Sequence, residues 1–309
     1  MSKQYFATSI ISDAHQSDIF GLDTTPDFAV SITGDSVIKK WDAIAQDHGL
    51  VGTIQTEHNI GIHHVSANNE NRLIAASGFD GQISIWNVDS SQRVGLISDD
   101  KRAYWAIKFS ADGEYLAATT LDGQIHVWTT ADNKFEKVGV LETKGTPGLS
   151  IDYSIDGKFI ASGHENGGLY IYSTETARLL HSLSGHVKSV RAVSFSPLSK
   201  FLAAGGDSNI ITIFDVKSGE QVFNLVGHSR WIMSLDWNIT GEYILSGSFD
   251  KTLRVWLVEQ SECVAIQNES ERPIFTATWT KSSGGTRPQG FVSAGPDRSI
   301  RWYREAASS

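Results

Sequence analysis

One pattern recurs about every 43 residues along this 309-residue chain, and it limits the fold more than any other feature. The copy at Trp256 reads SGSFDKTLRVW. Others read ITGDSVIKKW ending at Trp41, SGFDGQISIW at Trp86, TTLDGQIHVW at Trp128 and GHENGGLYIY at Tyr172, with weaker copies GGDSNIITIF at Phe214 and AGPDRSIRWY at Tyr303. The aromatic ends lie 45, 42, 44, 42, 42 and 47 residues apart. In the copy at Trp256, Leu253 and Val255 alternate with Thr252 and Arg254, the period of a half-buried strand. Tyr243 to Ser246 reads as the strand before it, Phe249-Asp250-Lys251 as the tight turn between them, and Trp231 to Trp237 as an inner strand. Asp, Asn and Gly recur at that turn (Asp35, Asp80-Gly81, Asp122-Gly123, Asn166-Gly167, Asp250, Asp297), residues that tolerate a left-handed backbone and bond nearby amides.

A four-stranded sheet of this size cannot bury both faces alone, so neighbouring copies must stack. Seven copies predict an all-β, seven-bladed β-propeller formed by residues 1–309 as one unit. The chain ends six residues after Tyr303, which leaves the seventh sheet one strand short. Residues 4–11, including the alternating run Tyr5 to Ile10, are expected to supply that outer strand and hide an open sheet edge.

Composition narrows the function. Net charge is −9 and no run of Lys or Arg occurs, which disfavours a sequence-independent grip on nucleic acid. Cys263 is the lone cysteine, so no internal disulfide can form and a reducing compartment is expected. The segment MSKQYFATSIISDAH lacks a signal-peptide core, and no stretch approaches 18 apolar residues.

Candidate chemistry reads as structural. The turn aspartates occur once per copy, whereas catalytic carboxylates would stand apart from the repeat. His58, His63 and His64 lack Cys or carboxylate ligands at zinc spacing, and strand alternation points His63 and His64 to opposite faces. Ser162-Gly163-His164 lacks the flank of a nucleophile elbow, Gly205-Gly206 and Gly284-Gly285 are too sparse for a phosphate cradle, and Cys263 has no activating neighbour. No enzyme activity, cofactor or metal is expected.

These motifs resemble the WD-repeat family over essentially the whole chain. The resemblance implies buried networks joining a Gly-His histidine, a strand hydroxyl, the turn aspartate and the tryptophan. Two would be complete: His15, Ser31, Asp35 and Trp41, then His228, Ser246, Asp250 and Trp256. The fifth copy has His186 and Asp207 but Ala203-Ala204 at the hydroxyl, Phe214 for the tryptophan, and reads as carrying an extra residue after Asp207. The second has His58 but Ala76, and the third, fourth and seventh lack the histidine.

Residues three and five beyond that histidine, with the residue before the turn aspartate, are expected on the upper rim. They are Phe20; His63 and Phe79; Trp105 and Leu121; Leu149 and Glu165; Ser189 and Arg191; Trp231, Met233 and Phe249; Pro273 and Phe275. A run of large apolar residues with one cation at solvent-facing positions marks a protein interface. The partner-binding set is therefore Phe20, Trp105, Leu149, Arg191, Trp231, Met233, Phe249 and Phe275. The polar stretch from Lys281 to Gln289 reads as a solvated insertion, and residues 1–3 and 306–309 as frayed ends.

The closing stretch FVSAGPDRSIRWYREA, the irregular third and fourth copies and the length look like the WD-repeat subunit of the superkiller complex. That resemblance implies a scaffold in exosome-linked cytoplasmic mRNA decay whose relatives also join the polymerase-associated factor complex. Its partners would be a tetratricopeptide scaffold and an RNA helicase, in the cytoplasm and also the nucleus. The chain would be a monomer alone and a subunit of a hetero-oligomer. The competing reading is an adaptor of another assembly, such as a chromatin complex or a ubiquitin-ligase substrate receptor.

Overall fold

In a computed structural model, residues 3–68, 70, 72–99, 102–281 and 290–306 are described. They form seven antiparallel sheets of four strands. From inner to outer strand, the first is Ile19–Thr24, Phe28–Thr33, Val37–Asp42 and Leu50–Gln55. Five more follow the same order, with inner strands Ile62–Asn68, Tyr104–Phe109, Gly148–Tyr153, Val190–Phe195 and Ile232–Trp237. The seventh consists of Thr276–Trp279, Gly290–Ala294, Ile300–Glu305 and, from the other end of the sequence, Tyr5–Ile11. The chain is thus an all-β, seven-bladed propeller. The insertion read at 281–289 lies, apart from Lys281, outside the described residues, as do the outermost tail residues.

Each apolar core is shared between two neighbouring blades, which is why no blade stands alone. Leu73, Ile85, Phe109 and Trp128 join the second blade to the third, while Ile213, Trp237 and Trp256 join the fifth to the sixth. The seventh core closes the ring: Ile19, Leu22 and Trp41 of the first blade pack on Val292, Ile300 and Trp302 of the last. Tyr5–Ile11 pairs with the strand ending at Glu305, from Tyr5 opposite Glu305 to Ile11 opposite Ile300. Its Tyr5 ring is buried 5.0 Å from Phe291.

The turn after the second strand repeats in all seven blades. The residue following the turn aspartate or its substitute has positive φ at Ser36, Gly81, Gly123, Gly167, Asn209, Lys251 and Arg298. This common geometry corrects one reading of the sequence. The fifth blade has no extra residue, because Asn209 takes the left-handed position and Ser208 the aspartate's place. Asp207 stands one residue earlier, where Phe79 and Phe249 stand in their blades.

Candidate functional site: an aromatic rim at the upper mouth

Sheet register explains which side chains reach the central channel. Five inner strands carry a β-bulge near their start, between Ile19 and Gly21, Ile62 and His64, Gly148 and Ser150, Val190 and Ala192, and Ile232 and Ser234; the third shifts between Tyr104 and Ile107. A bulge leaves an extra residue outside the ladder and re-aims its side chain. The bulged residues are Phe20, His63, Trp105, Leu149, Arg191 and Met233.

Neighbouring blades bring these side chains and the turn aromatics into an almost continuous chain. The Arg191 guanidinium lies 4.7 Å from the Trp231 ring, and Trp231 lies 5.5 Å from Phe249. Phe249 stacks on Phe275 at 6.4 Å, and Phe275 on Phe20 at 5.8 Å. Phe20 meets Phe79 edge-on at 5.8 Å; Phe79 meets His63 at 4.7 Å, and His63 stacks on Trp105 at 4.0 Å. Six blades contribute, and the chain breaks at the fourth, where Leu149 is half-buried and Glu165 exposed. Trp231 and Phe79 are 43% and 41% exposed. Phe20, Trp105, Met233, Phe249 and Phe275 are half-buried against their neighbours, and Trp105 also leans on the core between the third and fourth blades. Leu121 is exposed, and Ser189 and Pro273 are half-buried. Below this rim the channel, with the open recess continuing past Phe6, Thr8 and His48, measures about 1420 Å³.

Two surface features were not legible in the sequence. Asp207 faces Arg191 and binds its guanidinium through both oxygens, at 2.5 and 3.1 Å. Arg191 is therefore one half of an ion pair on the rim. The signal was present, since alignment on the left-handed turn residue places Asp207 at the rim position. On the opposite face, Ile155, Leu198 and Ile239 occupy adjoining turns and are exposed. Ser199 Oγ bonds Asp156 Oδ1 across two of those turns.

The buried networks differ between blades. In the sixth, His228 bonds Asp250 at 2.8 Å and Ser246 at 2.7 Å, while Trp256 Nε1 donates to Ser246 Oγ at 2.8 Å. Burial alone would raise the Asp250 carboxyl, but hydrogen bonds from His228 and Thr252 outweigh it and hold it well below the usual range. Burial lowers the His228 pKa below its ordinary value despite the bond to Asp250. In the first blade His15 and Trp41 meet at Ser31, at 2.6 and 2.8 Å, but Asp35 stays outside the network. The Thr33 hydroxyl claims Asp35, whereas the equivalent Ser248 donates to the Trp231 carbonyl and leaves Asp250 to the histidine. Ala76 and Ala204 supply no hydroxyl, so His58 Nε2 and His186 Nε2 are buried without a hydrogen-bond partner. The fourth blade compensates differently: His164, from the strand itself, bonds Ser162 at 2.9 Å and the Thr146 carbonyl at 2.9 Å. Ser162 and His164 are fully buried, so this pair meets no substrate.

These differences set an expected pair of results. Ser246→Ala leaves two buried nitrogens without their oxygen and is expected to cost about 2–3 kcal/mol, whereas Ala76→Ser gives His58 an acceptor or donor and is expected to add about 1 kcal/mol. Urea melts of the two variants check the opposite signs; a destabilising Ala76→Ser would show that packing outweighs the missing bond.

Acid should weaken the fold in a defined window. Burial, with Lys39 nearby, lowers His15 to about 4, and burial also lowers His64 and His126 to about 4, the last helped by Lys137. An unfolded histidine titrates near 6.5, so the unfolded chain binds more protons between these values. Stability is therefore fully present above about pH 6.5 and falls as pH drops toward 4. Thermal melts at pH 7.5, 6, 5 and 4.5 should show a steady decline, and a flat profile would refute neutral histidines in the fold.

Among the described residues no group of three or more His, Cys, Asp or Glu could hold a metal ion. The sequence placed His63 and His64 on opposite faces. The bulge instead turns them toward each other, with Nδ1 atoms 2.8 Å apart. Burial pushes the Cys263 thiol up, which lowers its reactivity.

A model of the WD domain, G-beta repeat, matches residues 50–87, 96–129, 177–215 and 219–256. Meiotic recombination protein rec14 of Schizosaccharomyces pombe is 41% identical over 311 residues, covering 100% of both chains. The chain belongs to the WD-repeat family. Antiviral protein SKI8 of Saccharomyces cerevisiae is 28% identical over 153 residues, 41% of this chain and 38% of that one. The WD repeat-containing protein VIP3 of Arabidopsis thaliana is 24% identical over 61% of this chain and 63% of its own. WD-repeat propellers typically serve as non-catalytic scaffolds that bind protein partners, and this chain has the fold of that family.

Proposed function

We propose that the upper mouth captures a segment of a partner protein, making the chain a non-catalytic adaptor in a larger assembly. The observation that carries this reading is the aromatic chain from Trp231 through Phe275 and Phe20 to Trp105, with exposed rings at a solvent-facing rim. Clustered Trp, Phe and Met beside an arginine are residue types that dominate protein interfaces. The paired Arg191 and Asp207 would fix the polar end of the segment by exchanging their mutual bonds for bonds to it.

Two readings of the assembly have support. The resemblance of the closing stretch FVSAGPDRSIRWYREA, together with the likeness to antiviral protein SKI8, supports a superkiller-type complex in cytoplasmic mRNA decay, with a tetratricopeptide scaffold and an RNA helicase as partners. The full-length likeness to meiotic recombination protein rec14 supports a second reading, an assembly acting in meiotic recombination. Affinity purification from vegetative and meiotic cells, with wild type beside a Trp105→Ala, Trp231→Ala double variant, separates them. A helicase and a tetratricopeptide protein recovered only with wild type supports the first, and recombination factors recovered only in meiosis support the second. Equal recovery by the double variant overturns the docking surface itself.

A further inference from the structure

We infer that His64 is a positioning residue, which fixes the His63 ring and through it the Trp105 ring at the rim. The position after the bulge is small in the other aligned blades: Gly21, Ala106, Ser150, Ala192 and Ser234. Small residues suit it, since a Cβ on Gly21 would already stand 3.0 Å from Ile32. Only the second blade puts a ring there, and that ring does something specific. Its Nδ1 lies 2.8 Å from Nδ1 of His63. His63 in turn is 5% exposed, stacks on Trp105 at 4.0 Å and meets Phe79 at 4.7 Å. His64 also meets Trp105 edge-on at 6.0 Å.

Two Nδ1 atoms at this distance can bond in one way only. One ring carries its proton on Nδ1 and donates it; the other presents a bare Nδ1 lone pair. Most neutral imidazoles in water carry the proton on Nε2, so the bond selects the rarer form on one ring. Burial favours the neutral rings that this requires. A ring so held cannot rotate about its terminal torsion without breaking the bond, and Trp105 loses its stacking partner if it does. The device pre-forms one side of the rim, which lowers the ordering cost of binding.

The functional meaning rests on the docking reading above, but the lock itself is measured without any partner. Long-range proton–nitrogen spectra of the 15N-histidine protein at pH 7 should show one of the two rings with its proton on Nδ1. In His64→Phe, the Trp105 indole resonance, assigned with Trp105→Phe, should lose its single sharp form, while the melting temperature moves little. In His64→Asn the carboxamide reaches the place of Nδ1 and should restore the sharp resonance. Both rings protonated on Nε2 in the wild type, or an unchanged Trp105 resonance in His64→Phe, would overturn the inference. If His64→Phe fails to fold, the wild-type spectrum alone decides. A confirmed lock with normal partner recovery by the Trp105→Ala, Trp231→Ala variant would leave the lock standing and remove the docking reading.

Discussion

Removing residues 1–11 is expected to abolish cooperative folding, leaving a chain that melts broadly or aggregates. The strand Tyr5–Ile11 contributes six paired residues to the last blade and a side chain to the core between the sixth and seventh. Tyr5 packs on Phe291 and Trp279, and its carbonyl accepts from Gln267 Nε2 at 2.9 Å. Lys3, also lost, forms an ion pair with Glu305 at 2.7 Å. Burying one large aromatic stabilises by about 2–3 kcal/mol, and each net hydrogen bond adds about 1 kcal/mol. The sum approaches the 5–15 kcal/mol that separates a typical folded domain from its unfolded state. Deletion also uncovers the edge of Ile300–Glu305, an open template for pairing with other chains. Calorimetry and size-exclusion chromatography read the outcome, and a sharp unchanged transition would show that the strand is dispensable.

Truncating Trp105 or Trp231 to Ala is expected to weaken partner binding by about 2 kcal/mol or more each, roughly 30-fold, with little loss of stability. Trp231 is 43% exposed, so removing it costs the free protein little packing. In a complex the same ring would be fully desolvated, and its cation–π contact with Arg191 would strengthen as water left. Trp105 differs, because it also touches a buried core; its variant should lose a little stability as well as affinity. Most of the change should appear in the dissociation rate. Surface-binding kinetics with the partner recovered by purification checks this, and normal affinity in both variants would place docking elsewhere.

The ring was legible because its cause is local. Alternation, turn aspartates and a terminal aromatic recur within each blade, and each blade needs a neighbour on both sides. The rim was legible to the extent that it follows the same repeat, as at Trp231 and Phe249. What escaped depends on pairing between strands. Alternation sends His63 and His64 apart, but the bulge after Ile62 shifts the ladder and brings their Nδ1 atoms together. Asp207 read as a turn aspartate because the residue type matched, while the backbone gave that place to Ser208. Asp35 likewise has the right type and spacing, and lost its histidine to competition from Thr33 one turn of chain away. Composition cannot rank two hydrogen-bond donors competing for one carboxylate.

The pairing of Tyr5 with Glu305 bears on how the protein is made. At synthesis rates of about 5–20 residues per second, the first strand leaves the ribosome roughly 15–60 seconds before its partner exists. Through that interval Tyr5 and Ala7 have no core to enter, and six blades accumulate around an unclosed gap. Ring closure, and with it the seventh shared core, therefore waits for the last strand to be made.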